Sequence, residues 1–294
     1  MGRILIGFDG SSHGEDALAL GRVLAEAEGD GAELVVAIVY KAVIQKDSHG
    51  TESDYQGRLR YEAEQELERA RAQAPELPAE AFRAVRASSA ASGLHRLAEE
   101  LRAEMIVVGT SHRSALGRVW AGSATEQVLH GAPVPVAVAP VDYAKREQSE
   151  RALRRVGVAY DGSPEAKHAL GRAVALAGAA GAQVVPISVV DLRAPTTIAY
   201  GYEKYVEAVR ELVALELKEA GESVAGAADV ELVEREGEPA RELAEASRTV
   251  DLLVAGSRGY GPLKRVLLGS VSSRLVREAE GPVLLLPRSA VEAE

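Results

Sequence analysis

The chain repeats itself, and this limits the folds open to it more than any other feature. Residues 3–11 read Arg-Ile-Leu-Ile-Gly-Phe-Asp-Gly-Ser, and residues 155–163 read Arg-Val-Gly-Val-Ala-Tyr-Asp-Gly-Ser. Both copies place Asp-Gly-Ser directly after an apolar run, at Asp9 and Asp161. Near the end of each half, M-I-V-V-G-T-S-H at 105–112 matches L-L-V-A-G-S-R-G at 252–259, and A-G-S-A-T at 121–125 matches L-G-S-V-S at 268–272. A period of about 150 residues is far longer than that of a solenoid, so the pattern reads as two copies of one domain. A length of 294 residues suits two domains of ordinary size. The expected boundaries are 1–142 and 152–294. Between them, Tyr143–Arg151 is polar, charged and without apolar periodicity, and reads as a solvated linker.

Composition removes several function classes. Cysteine is absent, which excludes disulfide frameworks, thiolate nucleophiles and Cys-bound zinc or iron–sulfur centres. The formal net charge of −10 argues against a long basic groove, so no nucleic-acid partner is expected. A few arginines and helix N-termini still suffice for a local anion site. No run approaches the ~18–20 apolar residues of a membrane span. The N-terminus enters a strand-like run without the apolar segment and cleavage site of a signal peptide, so the expected location is cytoplasmic, with no membrane partner.

Within one copy, short apolar runs alternate with helical patterns. Arg3–Phe8, Leu34–Val39, Phe82–Val85, Met105–Val108 and Val134–Ala139 read as strands, the first of a buried kind. Ser12-His-Gly-Glu15 has capping-box spacing before a helical face that includes Ala17, Leu18, Leu20, Val23 and Leu24. Tyr55–Ala74, rich in Glu, Arg and Ala, and Ser92–Arg102 read as helices, with a further helix start at Ser123. The second half repeats the order, with Ser163-Pro164 as an N-cap followed by Pro at the first helical position. This alternation predicts a doubly wound parallel α/β sheet in each half. Periodicity does not reveal the strand order.

Several chemistries lack their motifs. Gly256 and Gly261 have phosphate-loop spacing, but Pro262 stands where lysine belongs, and no G-x-G-x-x-G follows the first strand. The six histidines form no metal-ligand spacing. Gly10-Ser-Ser12-His-Gly14 matches a nucleophile elbow between strand and helix, yet no earlier strand precedes it to supply the oxyanion hole, and the second copy drops the pattern. Ser12 is therefore read as a helix cap, and no catalytic or metal-binding residue is assigned. The informative stretch is Gly256-Ser257-Arg258-Gly259 followed, after nine residues, by Gly269-Ser270-Val271-Ser272. Gly256 and Gly259 are expected to permit positive φ and close backbone approach to a ligand. Free N–H groups at the helix opening at Ser270, with the hydroxyls of Ser270 and Ser272, would form an anion site beside Arg258, Lys264 and Arg265. Val271, Leu275 and Val276 would form the inner face of that helix.

This Gly256-x2-Gly259-x9-Gly269-Ser270 spacing, with Asp161 upstream and a hydrophobic second-strand end at 187–190, resembles the nucleotide-binding signature of the universal stress protein family. The resemblance covers both halves, as in tandem members. It implies two five-stranded parallel sheets of order 3-2-1-4-5, each with two helices on either face. It also implies ATP at the switch point between the loops after strands 1 and 4, with Mg²⁺ accompanying it. Adenine would lie near Asp161 and Val189, with ribose and phosphates along Gly256, Ser257, Arg258 and Gly259 and along Gly269, Ser270, Val271 and Ser272. In the first half Asp9, Val39, Gly109, Gly122, Ser123 and Thr125 match, but His112 replaces the second glycine. A side chain there either blocks the triphosphate or swings out and donates to it.

The expected role is a nucleotide-responsive regulatory or protective protein in a stress response. Two alternatives are a slow ATP hydrolase or adenylyl-transfer enzyme on the same fold, and a nucleotide-free interaction module that presents the charged helix Tyr55–Ala74 to a protein partner. The last strand of each half would lie at a sheet edge in the implied order, which suggests pairing of the halves and then a homodimer of chains.

Overall fold

The computed structural model describes residues 2–28, 31–41, 54–110, 123–193, 202–257, 266 and 269–287, with Asp54, Tyr55 and Ser123 described by backbone alone. The chain divides into two compact units, Met1–Glu26 with Asp30–Arg151, and Ala27–Gly29 with Ala152–Glu294.

The first unit runs β1 (Gly2–Gly7), α1 (Ser12–Glu26), β2 (Ala32–Lys41), α2 (Asp54–Gln73), β3 (Phe82–Ala87), α3 (Ala90–Leu101), β4 (Met105–Gly109), α4 (Ser123–Leu129) and β5 (Val136–Ala139). Its strands are parallel and ordered β3-β2-β1-β4-β5. Strand β1 is central, with Ile4 opposite Leu34 on one side and Met105 on the other. Ile4, Leu5 and Ile6 are fully buried on both faces, as a continuous apolar run requires in a covered parallel sheet. Each contributes roughly 1.5–3 kcal/mol of burial. Helix α3 packs on α4, while Gln73 of α2 donates to Glu15 of α1 and Arg22 of α1 donates to Gln73 O and pairs with Glu76 just past α2. Two helices thus cover each face.

Two local expectations change here. Helix α1 is capped by Ser11, not Ser12: the Asp9 carboxylate accepts the Ser11 N–H (3.0 Å) and hydroxyl (2.5 Å), and Ser11 Oγ accepts the His13 N–H (3.2 Å). Glu15 closes no capping box; it accepts instead from Gln73 at 2.7 Å. The second change concerns 143–151, which is not a wholly solvated segment. Tyr143–Lys145 forms a 3₁₀ turn, Tyr143 is 1% exposed, and Gln148–Arg151 forms a short helix, α5. The cause lies in α1, where the buried Asp16 carboxylate accepts the backbone N–H groups of Asp142 (3.0 Å) and Ala144 (2.8 Å).

The second unit runs β6 (Arg155–Ala159), α6 (Pro164–Ala180), β7 (Gln183–Val190), α7 (Tyr202–Val224), β8 (Asp229–Val230), β9 (Val233–Glu236), α8 (Pro239–Ala246), β10 (Leu252–Gly256), α9 (Ser270–Glu278) and β11 (Val283–Leu286). It repeats the order, with β11-β10-β6-β7 followed by β8 and β9, which both pair with β7. The third strand of the repeat is thus broken in two. Ser163 caps α6 by accepting the Ala166 N–H at 3.2 Å, with Pro164 in the first turn. Helix α8 packs on α9, and α6 on α7.

Candidate functional site: one crevice in each unit

In both units the central strand is followed by a crossover to one side and its other neighbour by a return to the opposite side. The carboxyl ends of β1 and β4, and of β6 and β10, therefore flank the point where the strand order reverses. A crevice at such a switch point is where open α/β sheets hold ligands. Each unit has a cavity there, about 300 Å³ in the second unit and about 210 Å³ in the first.

One wall is built by the repeated Asp-Gly-Ser turn. Asp161 accepts the Ser163 N–H (3.2 Å) and hydroxyl (2.5 Å), as Asp9 does from Ser11. The turn needs φ of +69° at Gly162 and +76° at Gly10, which glycine adopts without the Cβ penalty. The strand end beneath is held by matching bonds: Tyr160 N–H to Ile187 O and Phe8 N–H to Ala37 O, both 2.9 Å. In the second unit the buried Ser188 hydroxyl also donates to Tyr160 O at 2.7 Å. Burial and the nearby carboxylates of Glu219 and Glu216 push the Tyr160 phenol up from its usual range. Burial, then the charge of Glu219, raises the Glu216 carboxyl, while Lys167 opposes the rise.

The opposite wall corrects the reason for the strand-end glycines. Gly256 and Gly109 are not among the described glycines with positive φ. A Cβ at Gly256 would stand 2.7 Å from Glu165 O, and one at Gly109 would stand 2.1 Å from His13 O. These glycines admit the first turns of α6 and α1, and so set the distance between the two sides of the crevice. Ser257 is fully buried and donates its N–H to Leu286 O at 3.1 Å, and is not among the described residues that line the cavity.

The third side is a helix start. Gly269 precedes α9, and its N–H donates to the Ser272 hydroxyl at 2.9 Å. Ser272 Oγ in turn donates to Gly269 O at 3.3 Å, so at 6% exposed its hydroxyl is engaged within the helix start and not a free donor to an anion. Ser270 is exposed on the cavity. Val271 does not join the inner face with Leu275 and Val276; it is 40% exposed and lines the cavity. In the first unit Thr125 instead donates to Gly109 O at 2.8 Å, tying α4 to the end of β4.

The structure thus brings Asp161, Val189, Gly256, Gly269, Ser270, Val271 and Ser272 to one cavity, and Asp9, Val39, Gly109 and Thr125 to the other. Arg258, Gly259, Lys264, Arg265, His112 and Gly122, and the side chain of Ser123, lie outside the described residues. Sequence reading missed Pro239 and Leu243 of α8, with Ala90 and Leu94 of α3 opposite them in the repeat. It also missed a polar exchange: at the same place in the first helix of each unit the first cavity has His13 and the second has Glu165. The Nδ1 of His13 is buried without a hydrogen-bond partner. The 152-residue offset of the Asp-Gly-Ser turns was the signal that could have found this pair.

Fold and site together define a tandem pair of doubly wound α/β domains, each with a switch-point crevice between an Asp-Gly-Ser turn and the opening of a helix. The sequence profile of the universal stress protein family matches residues 1–140 and 152–287, so the chain belongs to that family, with two copies of its domain. A universal stress protein of Mycolicibacterium smegmatis is 35% identical over 185 residues, which are 63% of this chain and 62% of that protein. One of Mycobacterium tuberculosis is 31% identical over 208 residues, 68% of this chain and 69% of the relative. The match therefore spans less than two thirds of the first relative's length. A universal stress protein from Archaeoglobus fulgidus shares the fold with a TM-score of 0.66 at 24% identity, over 99% of this chain and 97% of that one.

Proposed function

We propose that the chain binds an adenine nucleotide, ATP accompanied by Mg²⁺, in the crevice of each unit, and acts as a cytoplasmic stress-response regulator or protective protein. The observation that carries this reading is the chemistry of the second cavity. Its inner wall is apolar, from Ile187, Val189 and Leu243, which suits a flat heterocycle. Its rim is polar, with the Asp161 turn and the exposed Ser270 at the start of α9, where a helix N-terminus favours negative charge. The first cavity is smaller and has His13 on its wall, whose Nδ1 is buried without a hydrogen-bond partner. Among the described residues no cluster of three His, Asp or Glu could hold a metal. Mg²⁺ would then arrive with the phosphates, as it commonly does. Bound nucleotide would select one arrangement of the crevice loops, through differential affinity for the two states.

The test is thermal unfolding with and without MgATP. A ligand at 100 times its Kd adds about 2.7 kcal/mol, or roughly 5–10 °C for units of this size. An unchanged Tm at millimolar MgATP contradicts the proposal. Slow hydrolysis remains the second reading because an acidic residue, Glu165, lines the second cavity. ATP turnover that disappears in Glu165→Gln while binding persists supports it.

A further inference from the structure

Helix α7 carries an apolar seam that the described residues of its own unit leave exposed. Val213, Leu217, Ala220 and Val224 face the sheet. On the other side Leu212 and Leu215 are 55% and 54% exposed, with exposed Ala208 one turn before them and exposed Glu219 one turn after. Tyr205, Ala208, Leu212, Leu215, Glu219 and Glu222 are spaced alternately three and four apart, the spacing of a coiled-coil seam. The fold does not demand this. Helix α2 occupies the same place in the first unit, since Glu66 lies against Gly10 as Glu216 lies against Gly162. The α2 positions matching Ala208, Leu212 and Leu215 are Arg58, Glu62 and Gln65, and that face is laced by Arg58–Glu62 and Arg60–Glu64 ion pairs. The second unit has exchanged a charged face for leucines.

We infer that this seam is an isologous interface on which a second copy of the chain docks, with the two α7 helices antiparallel about a two-fold axis between Leu212 and Leu215. The charge pattern points to a second copy in this orientation. The seam itself carries Lys204 and Tyr205 at its start and Glu219 and Glu222 at its end, Glu222 being paired with Lys218 at 3.8 Å. Lys204 and Glu219 join no ion pair among the described residues, and both are exposed. Antiparallel docking puts Leu212 on the partner's Leu215, and sets Lys204 beside the partner's Glu219, next to the partner's Lys218–Glu222 pair. The small Ala208 leaves room for that carboxylate. Parallel docking would place lysine against lysine and glutamate against glutamate. The helix dipoles also oppose favourably only in the antiparallel pair. An isologous surface must be self-complementary in this manner.

Sedimentation equilibrium of the full chain tests the inference, with far-UV circular dichroism as a check that each variant folds. A dimer is expected, and Leu212→Lys with Leu215→Lys should raise its Kd at least tenfold while leaving the spectrum unchanged. Lys204→Glu should weaken the dimer, and adding Glu219→Lys and Glu222→Lys in the same chain should restore it. Because the chain has no cysteine, mixed Leu212→Cys and Leu215→Cys chains should cross-link under mild oxidation, whereas Lys204→Cys chains should not cross-link with themselves. A monomer at 100-micromolar concentration, or a dimer indifferent to the leucine substitutions, overturns the inference.

Discussion

At the scale of single residues, two carboxyls stand out, the buried Asp16 and the half-buried Glu216. Asp16 holds the turn at Asp142–Ala144 against α1, and the second unit has exposed His168 at the matching place. Burial raises the Asp16 carboxyl, and the two backbone N–H groups partly oppose the rise. Asp16→Ala leaves both N–H groups without their acceptor, and should destabilise the first unit by about 2–4 kcal/mol in urea unfolding. A cost near zero would show that the turn is held by Tyr143 alone. Glu216 differs, because no hydrogen bond offsets its burial against the Asp-Gly-Ser turn. Its folded pKa is raised above the ordinary 4.5 by burial and by Glu219. The associated stability is therefore present below about pH 4.5 and is lost as pH rises through the folded value. At pH 7 the ionised carboxylate weighs against the fold. Glu216→Gln should raise Tm at pH 7, with the gain shrinking as the pH falls toward 4; a loss at pH 7 would contradict this.

Among elements, the packing of α1 on β4 and of α6 on β10 determines the width of each crevice. A side chain at Gly256 meets the backbone of Glu165, which cannot move without carrying the first turn of α6 and the Asp161 turn with it. Gly256→Ala should cost about 1–3 kcal/mol, the usual penalty of overpacking, and should weaken nucleotide binding in the second unit more than in the first. Equal loss in both units, measured by calorimetric titration, would contradict that. The elements themselves were legible because buried parallel strands read as unbroken apolar runs, as at Ile4–Ile6 and Leu252–Ala255. What escaped was decided by tertiary neighbours. Ser11 and Ser12 are equivalent as local caps until the Asp9 turn selects one. Tyr143–Arg151 reads as solvated because its anchor, Asp16, lies far away in sequence. Val271 suits a helix core by periodicity, yet a cavity occupies the place where a partner would pack. The strand order rested on the family resemblance alone, since periodicity carries no information about which strands are neighbours.

For the whole molecule, duplication has produced two similar crevices with different chemistry. His13 faces one cavity where Glu165 faces the other, and the first cavity is the smaller. The same divergence separates the salt-bridged outer face of α2 from the leucine seam of α7. Ligand response and self-association can therefore be altered separately: leucine substitutions on α7 should leave nucleotide affinity unchanged. The site was legible where it depends on backbone turns, at Asp161, Gly256 and Gly269. It was not legible where it depends on side chains brought from α3 and α8, which no motif links to the glycine loop. Whether both crevices bind nucleotide is settled most directly by titrating nucleotide-free chain with MgATP by equilibrium dialysis. Saturation at two nucleotides per chain, falling to one in Gly256→Val, is the expected result. The absence of saturable binding up to millimolar MgATP would contradict it.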